Sequence, residues 1–279
     1  MEMPQQMPPV ALTIAGSDPS GGAGIQADLK TFHQFGVYGE AVITLLTVQN
    51  SVRLSRIQLI DPALVLEQLE AVLEDIPPGA AKTGALGSAE MVSAMARAAE
   101  RFAFPLVVDP ILAGKHGAAL LPGSAVRALR DELIPRAALV TPNVPEAEAL
   151  SGMAIRVVDD MRRAACRFFE MGARAVLIKG GHLEGPPTDI LFDGAQWREF
   201  PAARVNTRQT HGTGCTYSAA ITAGLARGAS LARAVADAKH FIHEAIRTSP
   251  GLGRGSGPVN HHAQPASGPS ASEPCGEIS

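Results

Sequence analysis

Three shortages in this chain each remove a class of protein. Cys166, Cys215 and Cys275 are the only cysteines among 279 residues. They are odd in number and far apart, which excludes a disulfide framework and a zinc knuckle. No apolar run approaches the ~20 residues of a membrane span. The opening MEMPQQMPPV has neither the basic nor the apolar region of a signal peptide, so a cytoplasmic protein with no membrane contact is expected. A formal net charge of -3, with 46% hydrophobic and 18% charged residues, gives no electrostatic case for nucleic acid. Several motifs are missing as well. Without G-x-x-x-x-G-K-[ST], any ATP binding lies outside the P-loop class. Without a strand-borne G-x-G-x-x-G and a following acid there is no Rossmann dinucleotide site, and without G-x-S-x-G no α/β-hydrolase. No repeat period is visible. His240 and His243 share a helix face, but no nearby Cys or placed carboxylate turns them into a metal site.

What is present is a rhythm. The runs VALTIAG, VITLLTV, AAKTGA, PLVVDP, AALVTPN and RAVLIKG read as strands. They alternate with helical patterns over 24–35, 62–73, 89–102, 124–133 and 160–171. Strand, helix, strand repeated this way predicts an α/β domain, a mostly parallel central sheet with helices on both faces. Asp193-Gly194 inside ILFDGAQWREF predicts a β-hairpin. After it come a helix to about Ala226 and a last helix from Leu231 to about Arg247. One folded unit is expected over 10–259, with the Pro- and Gln-rich 1–9 and the Ser-, Pro- and Gly-rich 260–279 as disordered ends.

Gly212 and Gly214 break the chain just before a run of small residues, as a tight turn feeding a helix does. Backbone N–H groups in a first helical turn lack intrahelical acceptors, which makes an anion site there. The same field is expected to lower the pKa of Cys215, making it a thiolate base; a small buried hydrophobe is the other reading. Ligands of open α/β sheets collect at the carboxyl ends of strands. There the chain places Gly16 and the glycines after it, Asp28 on the following helix, Asp109, Asn143 with Glu146, and Lys179. Asp109, Asn143 and Glu146 suit Mg²⁺ held largely through water, while Asn143 and Glu146 equally fit a capping box. Lys115 and Lys179 are cations available to phosphate oxygens.

AGSDPSGGAGIQADLKTF, VITLLTVQN, VVDPILAGKHG, TPNVPEAEAL, KGGH and NTRQTHGTGCT, in this order over about 10–259, resemble the hydroxymethylpyrimidine/phosphomethylpyrimidine kinases of thiamine biosynthesis, in the ribokinase-like superfamily. The resemblance implies an ATP- and Mg²⁺-dependent homodimer that phosphorylates 4-amino-5-hydroxymethyl-2-methylpyrimidine and then its monophosphate. In that likeness Gly212, Thr213 and Gly214 form the anion hole and Cys215 is the base. Asn143 and Glu146 organise Mg²⁺ near Asp109. Lys179, Lys239 and Thr210 line the nucleotide site, and Lys115 sits on a loop closing over the phosphates. Gln49, Gly16, Asp28, Ile111 and Ala85 face the ring. Ala85 stands where the family carries Met and Ala118 where it carries an acid, which leaves acceptor specificity open. A pyridoxine or pyridoxal kinase and a non-catalytic pyrimidine-binding protein are the alternatives.

Overall fold

The computed structural model describes residues 7–114 and 120–265. Their strands form one sheet. Its members are β1 (Val10–Ser17), β2 (Tyr38–Gln49), β3 (Leu54–Leu59), β4 (Ala80–Thr83), β5 (Leu106–Val108), β6 (Leu139–Val140), β7 (Val176–Ile178), β8 (Asp189–Phe192) and β9 (Trp197–Phe200). The spatial order is β3-β2-β1-β4-β5-β6-β7-β8-β9. From β2 to β7 every pairing is parallel, while β3 and the β8–β9 hairpin run antiparallel at the two edges. The parallel strands are mostly apolar because both faces are covered, with Thr13 and Lys82 as buried polar exceptions. Leu12, Ile14 and Val108 point into one core, under α2 (Pro62–Asp75), α3 (Ala89–Ala99), α4 (Gly123–Ala128), α5 (Val144–Ser151) and α6 (Val158–Glu170). Ala11, Val107 and Leu139 point into the other, under α1 (Gly24–Gln34), α7 (Thr213–Ala226) and α8 (Leu231–Arg247).

Helix α7 is buried along most of its length, which explains its run of small residues: Ala219, Ala220 and Ala223 have no exposed surface. The chain around it closes the second core, where Phe35 of the α1 terminus meets Phe241 of α8 edge-on at 5.0 Å.

The structure departs from the expected elements in three places. The polar-interrupted LSRIQL is a strand, β3, half exposed at the sheet edge. The helix expected over 124–133 is α-helical only to Ala128. It then widens into a π turn over Leu129–Leu133 and tightens into a 3₁₀ turn holding Pro135, which has no N–H to continue the ladder. The packed chain also runs beyond 259. His211 N–H donates to Gly257 O and Val259 N–H to His211 O. His261 is buried with Nε2 3.1 Å from Thr216 Oγ1. Gln34 Nε2 donates to the carbonyl of buried Ala263 at 3.0 Å. Residues 260–265 are therefore a docked strap rather than the disordered end their composition suggested, because one His and one Ala find partners on α7 and α1.

Candidate active site

One cavity of about 680 Å³ opens at the carboxyl ends of β1, β4, β5, β6 and β7. One of its walls is the start of α7. Gly212 caps the helix with φ 77°, and a Cβ there would fall 1.7 Å from Gly22 O, so only glycine fits. Thr213, Gly214 and Cys215 follow along the same wall and Thr210 precedes it. Beside them Asp109 is almost fully buried. It accepts bonds from Thr141 Oγ1, Ser218 Oγ and Lys179 Nζ, all at 3.1 Å. Burial alone would push this carboxyl up, but the Lys179 and Lys82 ammonium groups outweigh it and hold it below the usual range. Lys179 behaves in mirror fashion: burial opposes its charge, Asp109 and Glu146 favour it, and its pKa is raised.

Asn143 and Glu146 form the capping box that their spacing allows. Glu146 N–H donates to Asn143 Oδ1 and Asn143 N–H to Glu146 Oε2, both at 2.9 Å. Both side chains nevertheless face the cavity. Burial, reinforced by Asp109 and opposed by Lys179, raises the Glu146 carboxyl to about 7. The remaining wall carries Gly16, Gln49, Ala85 and Ile111. Thr44 Oγ1 donates to Ala85 O at 2.6 Å and fixes that turn.

Three expectations require correction. Asp28 does not reach the cavity: it has no exposed surface, accepts Lys82 Nζ on both oxygens at 2.8 Å, and takes the Thr13 hydroxyl at 2.6 Å. Lys239 does not line the cavity either, its Nζ being bonded to Pro187 O at 2.9 Å and Asp189 Oδ2 at 2.7 Å. The Cys215 thiol is not acidified. Burial drives it up to about 12, Lys82 pulls it back, Asp28 and Asp109 push it further, and a backbone hydrogen bond from Gly24 is too weak to reverse the sum. Lys115 lies outside the described residues.

The sequence reading left out the pair of Asp18 and His211. His211 Nε2–H donates to Asp18 Oδ2 at 2.8 Å, and the carboxylate also accepts from Ser20 N and Oγ, Gly22 N and Ala23 N. Burial would raise Asp18, yet the bonds from His211 and Ser20 bring it to about 2. This hub staples the glycine loop after β1 to the start of α7. Both residues stand inside quoted motifs, but their pairing spans 193 residues of chain.

A mostly parallel sheet with helices on both faces, carrying a glycine-capped helix start and a lysine–aspartate pair at the strand ends, defines a ribokinase-like small-molecule kinase. The phosphomethylpyrimidine kinase family matches residues 18–260, and the chain belongs to that family of phosphotransferases. The hydroxymethylpyrimidine/phosphomethylpyrimidine kinase of Bacillus subtilis is 45% identical, over 91% of this chain and 94% of its own length. The thiamine biosynthesis bifunctional protein ThiED of Geobacter sulfurreducens is 51% identical over 90% of this chain, which spans about half (51%) of that longer protein. Among solved structures, an ADP complex of Bacillus subtilis pyridoxal kinase superposes with TM-score 0.86 at 39% identity, covering 92% of this chain and 98% of that one. A phosphomethylpyrimidine kinase of Clostridium difficile superposes with TM-score 0.77 at 42% identity, covering 85% and 99%. No helix among the described residues is long and apolar enough to cross a membrane.

Proposed function

We propose that this chain transfers the γ-phosphoryl group of ATP to the hydroxymethyl oxygen of 4-amino-5-hydroxymethyl-2-methylpyrimidine, and then a second phosphoryl group to the resulting monophosphate. The observation that carries this reading is the meeting, in one cavity, of the α7 anion site with a wall formed by Gly16, Gln49, Ala85 and Ile111. Gln49 offers an amide donor and acceptor to the polar edge of the ring. The first-turn N–H groups of α7 and the Lys179 ammonium stabilise the phosphoryl oxygens, and Cys215 lines the same wall, within reach of an acceptor hydroxyl bound there. In the transfer, the hydroxymethyl proton passes to Cys215 Sγ in its thiolate form, the minor form of a thiol raised to about 12, while the oxygen bonds to the γ-phosphorus. The bond to the β,γ-bridging oxygen breaks, and ADP leaves with its electron pair. Such a loose transition state needs positioning and charge stabilisation more than covalent chemistry.

The residues present fit Mg²⁺ as a hydrated ion rather than a caged one. No cluster of three His, Cys, Asp or Glu side chains suited to a metal occurs among the described residues. Asn143 and Glu146 at the cavity wall would hold it through water, since Mg²⁺ is commonly bound by one or two carboxylates plus substrate phosphates. The bound ion supplies neutralisation of phosphate charge. Asp109 is engaged by Lys179 and is left out of the set. We place the enzyme in the cytoplasm as a homodimer, a state favoured by Leu46, Val48, Val52 and Leu59, which are exposed along the β2–β3 edge.

A coupled assay of ADP release tests the assignment with the pyrimidine, its monophosphate and pyridoxal as acceptors. The pyrimidine and its monophosphate are expected to turn over. A site built to bond the ring's amino group rejects an analogue lacking it by up to ~10⁴ to 10⁵ fold. Turnover of pyridoxal alone would reassign the chain to the other ring, and binding of the pyrimidine with no ADP release would make it a sensor.

A further inference from the structure

The connection from β7 to β8 opens with a 3₁₀ turn over Gly180–His182, and Lys179, Gly181 and His182 line the cavity. Two polar anchors fix this connection. The buried one is Asp189, whose Oδ1 accepts Gly180 N–H at 2.9 Å while its Oδ2 accepts Lys239 Nζ at 2.7 Å. The exposed one is Arg204: Nε donates to Gly185 O at 2.9 Å, Nη1 to Gly181 O at 3.1 Å, and Nη2 to Leu183 O. Three alternate carbonyls of one turn thus converge on one guanidinium, whose planar fork of N–H donors can serve them together. Leu183 packs against the core, but Gly181, His182, Glu184, Gly185 and Pro186 are exposed, so the shape of the turn depends mainly on its polar anchors.

The two ends of the cavity differ. Its ring wall is carried by β1, β2 and the ends of β4 and β5, through Gly16, Gln49, Ala85 and Ile111, whereas the anchored turn follows β7 at the far end of the sheet order. With the acceptor ring at the first end, the donor nucleotide is left the second. We propose that Arg204 is a positioning residue for that nucleotide. By holding the carbonyls of Gly181, Leu183 and Gly185, it keeps Gly181 and His182 as a preformed wall for the nucleoside part of ATP, beyond the phosphates gathered at Lys179 and α7. The proposal rests on the reading of ATP as the phosphoryl donor. Arg204 does not itself line the cavity, so it acts through the turn. When only a fraction of the molecules holds the binding-competent turn, the apparent affinity falls by that fraction.

The test titrates ADP with Mg²⁺, and separately the pyrimidine, into the full chain, Arg204→Met and Arg204→Lys by isothermal titration calorimetry. Hydrogen exchange of the peptide covering 180–186 reports the order of the turn. Arg204→Met is expected to bind ADP roughly three- to tenfold more weakly, as it does if about a tenth to a third of the molecules keep the competent turn. Its KM for ATP should rise by a similar factor and its 180–186 amides should exchange faster, with pyrimidine affinity little changed. Arg204→Lys keeps the charge but not the fork, and should lose nearly as much as Arg204→Met. Parental ADP affinity in Arg204→Lys would mean that charge alone draws the nucleotide, and would overturn the role of the carbonyl contacts. Equal weakening of ADP and pyrimidine, the mark of a general loss of structure, would overturn it too, as would weaker ADP binding with unmoved exchange. A parent that binds the pyrimidine but neither ADP nor ATP overturns the kinase reading and this proposal with it. A parent that phosphorylates the pyrimidine, beside an Arg204→Met of parental ADP affinity, overturns Arg204 alone.

Discussion

At the scale of single residues, the site turns on how much burial a thiol and a carboxylate can bear. Cys215 sits in the first turn of α7, yet burial and two carboxylates raise it to about 12 against the opposing pull of the Lys82 ammonium. Bound phosphate oxygens would raise it further, so the cations around it decide whether a proton can be taken. Replacement of Cys215 by Ala is expected to lower kcat by ~10² to 10⁴, the usual worth of a positioned base, with nucleotide affinity little changed. Steady-state kinetics together with nucleotide titration check this, and thermal melts separate chemistry from folding. Glu146 raises a different question, because it both caps α5 and faces the cavity. Glu146→Gln keeps a side-chain oxygen for the Asn143 N–H. It should therefore leave the melting temperature within a few degrees while raising the Mg²⁺ concentration needed for half-maximal turnover. An unchanged Mg²⁺ dependence would leave Glu146 as a cap alone.

At the scale of elements, the N-termini of α1 and α7 converge near Cys215, and the strap 260–265 docks on both helices, through His261 on Thr216 and Ala263 on Gln34. Burial depresses His261 from 6.5 to about 4, with Lys30, His262 and His211 adding to the effect. A folded-state pKa below the unfolded one means that the neutral imidazole contributes stability above about 6.5, and that this is lost as pH falls through 4. His261→Gln should therefore flatten the dependence of melting temperature on pH between 6.5 and 4. The parent should lose several degrees over the same window, at roughly 2 to 4 °C per kcal/mol. Differential scanning calorimetry across that range checks it.

The elements also show why some features could be read from the chain and others could not. The bounds of α7 and α8 and the β8–β9 hairpin followed from local punctuation: Gly212, Ser230 and Asp193-Gly194 act within a few residues. So did the capping box of Asn143 and Glu146. Strand β3 escaped because it lies exposed at the sheet edge, where the adjacent Ser55 and Arg56 break the apolar alternation that marks a strand. Asp28 was misplaced because its partner Lys82 is 54 residues away, and the shift at Cys215 was misjudged because a helix start is local while burial is tertiary. Lys239 went astray in the same way, its bond to Asp189 spanning 50 residues.

At the scale of the whole molecule, the sheet gathers residues from β1 to β7 onto one rim and leaves an apolar edge at β2–β3. Val48 and Val52 are 55% and 54% exposed there, while Gln49 between them lines the cavity. A second copy covering this edge would lie close to the ring wall. Val48→Glu is expected to convert a dimer to a monomer in size-exclusion chromatography with light scattering, and a monomeric parent would contradict the dimer. What the assembled site does to its substrates is read by ³¹P NMR of the protein with MgATP and 4-amino-5-hydroxymethyl-2-methylpyrimidine. A phosphomonoester resonance is expected to grow in step with ADP and then to give way to a pyrimidine diphosphate. ATP that stays intact, or that yields only ADP and inorganic phosphate with no phosphorylated pyrimidine, would contradict it.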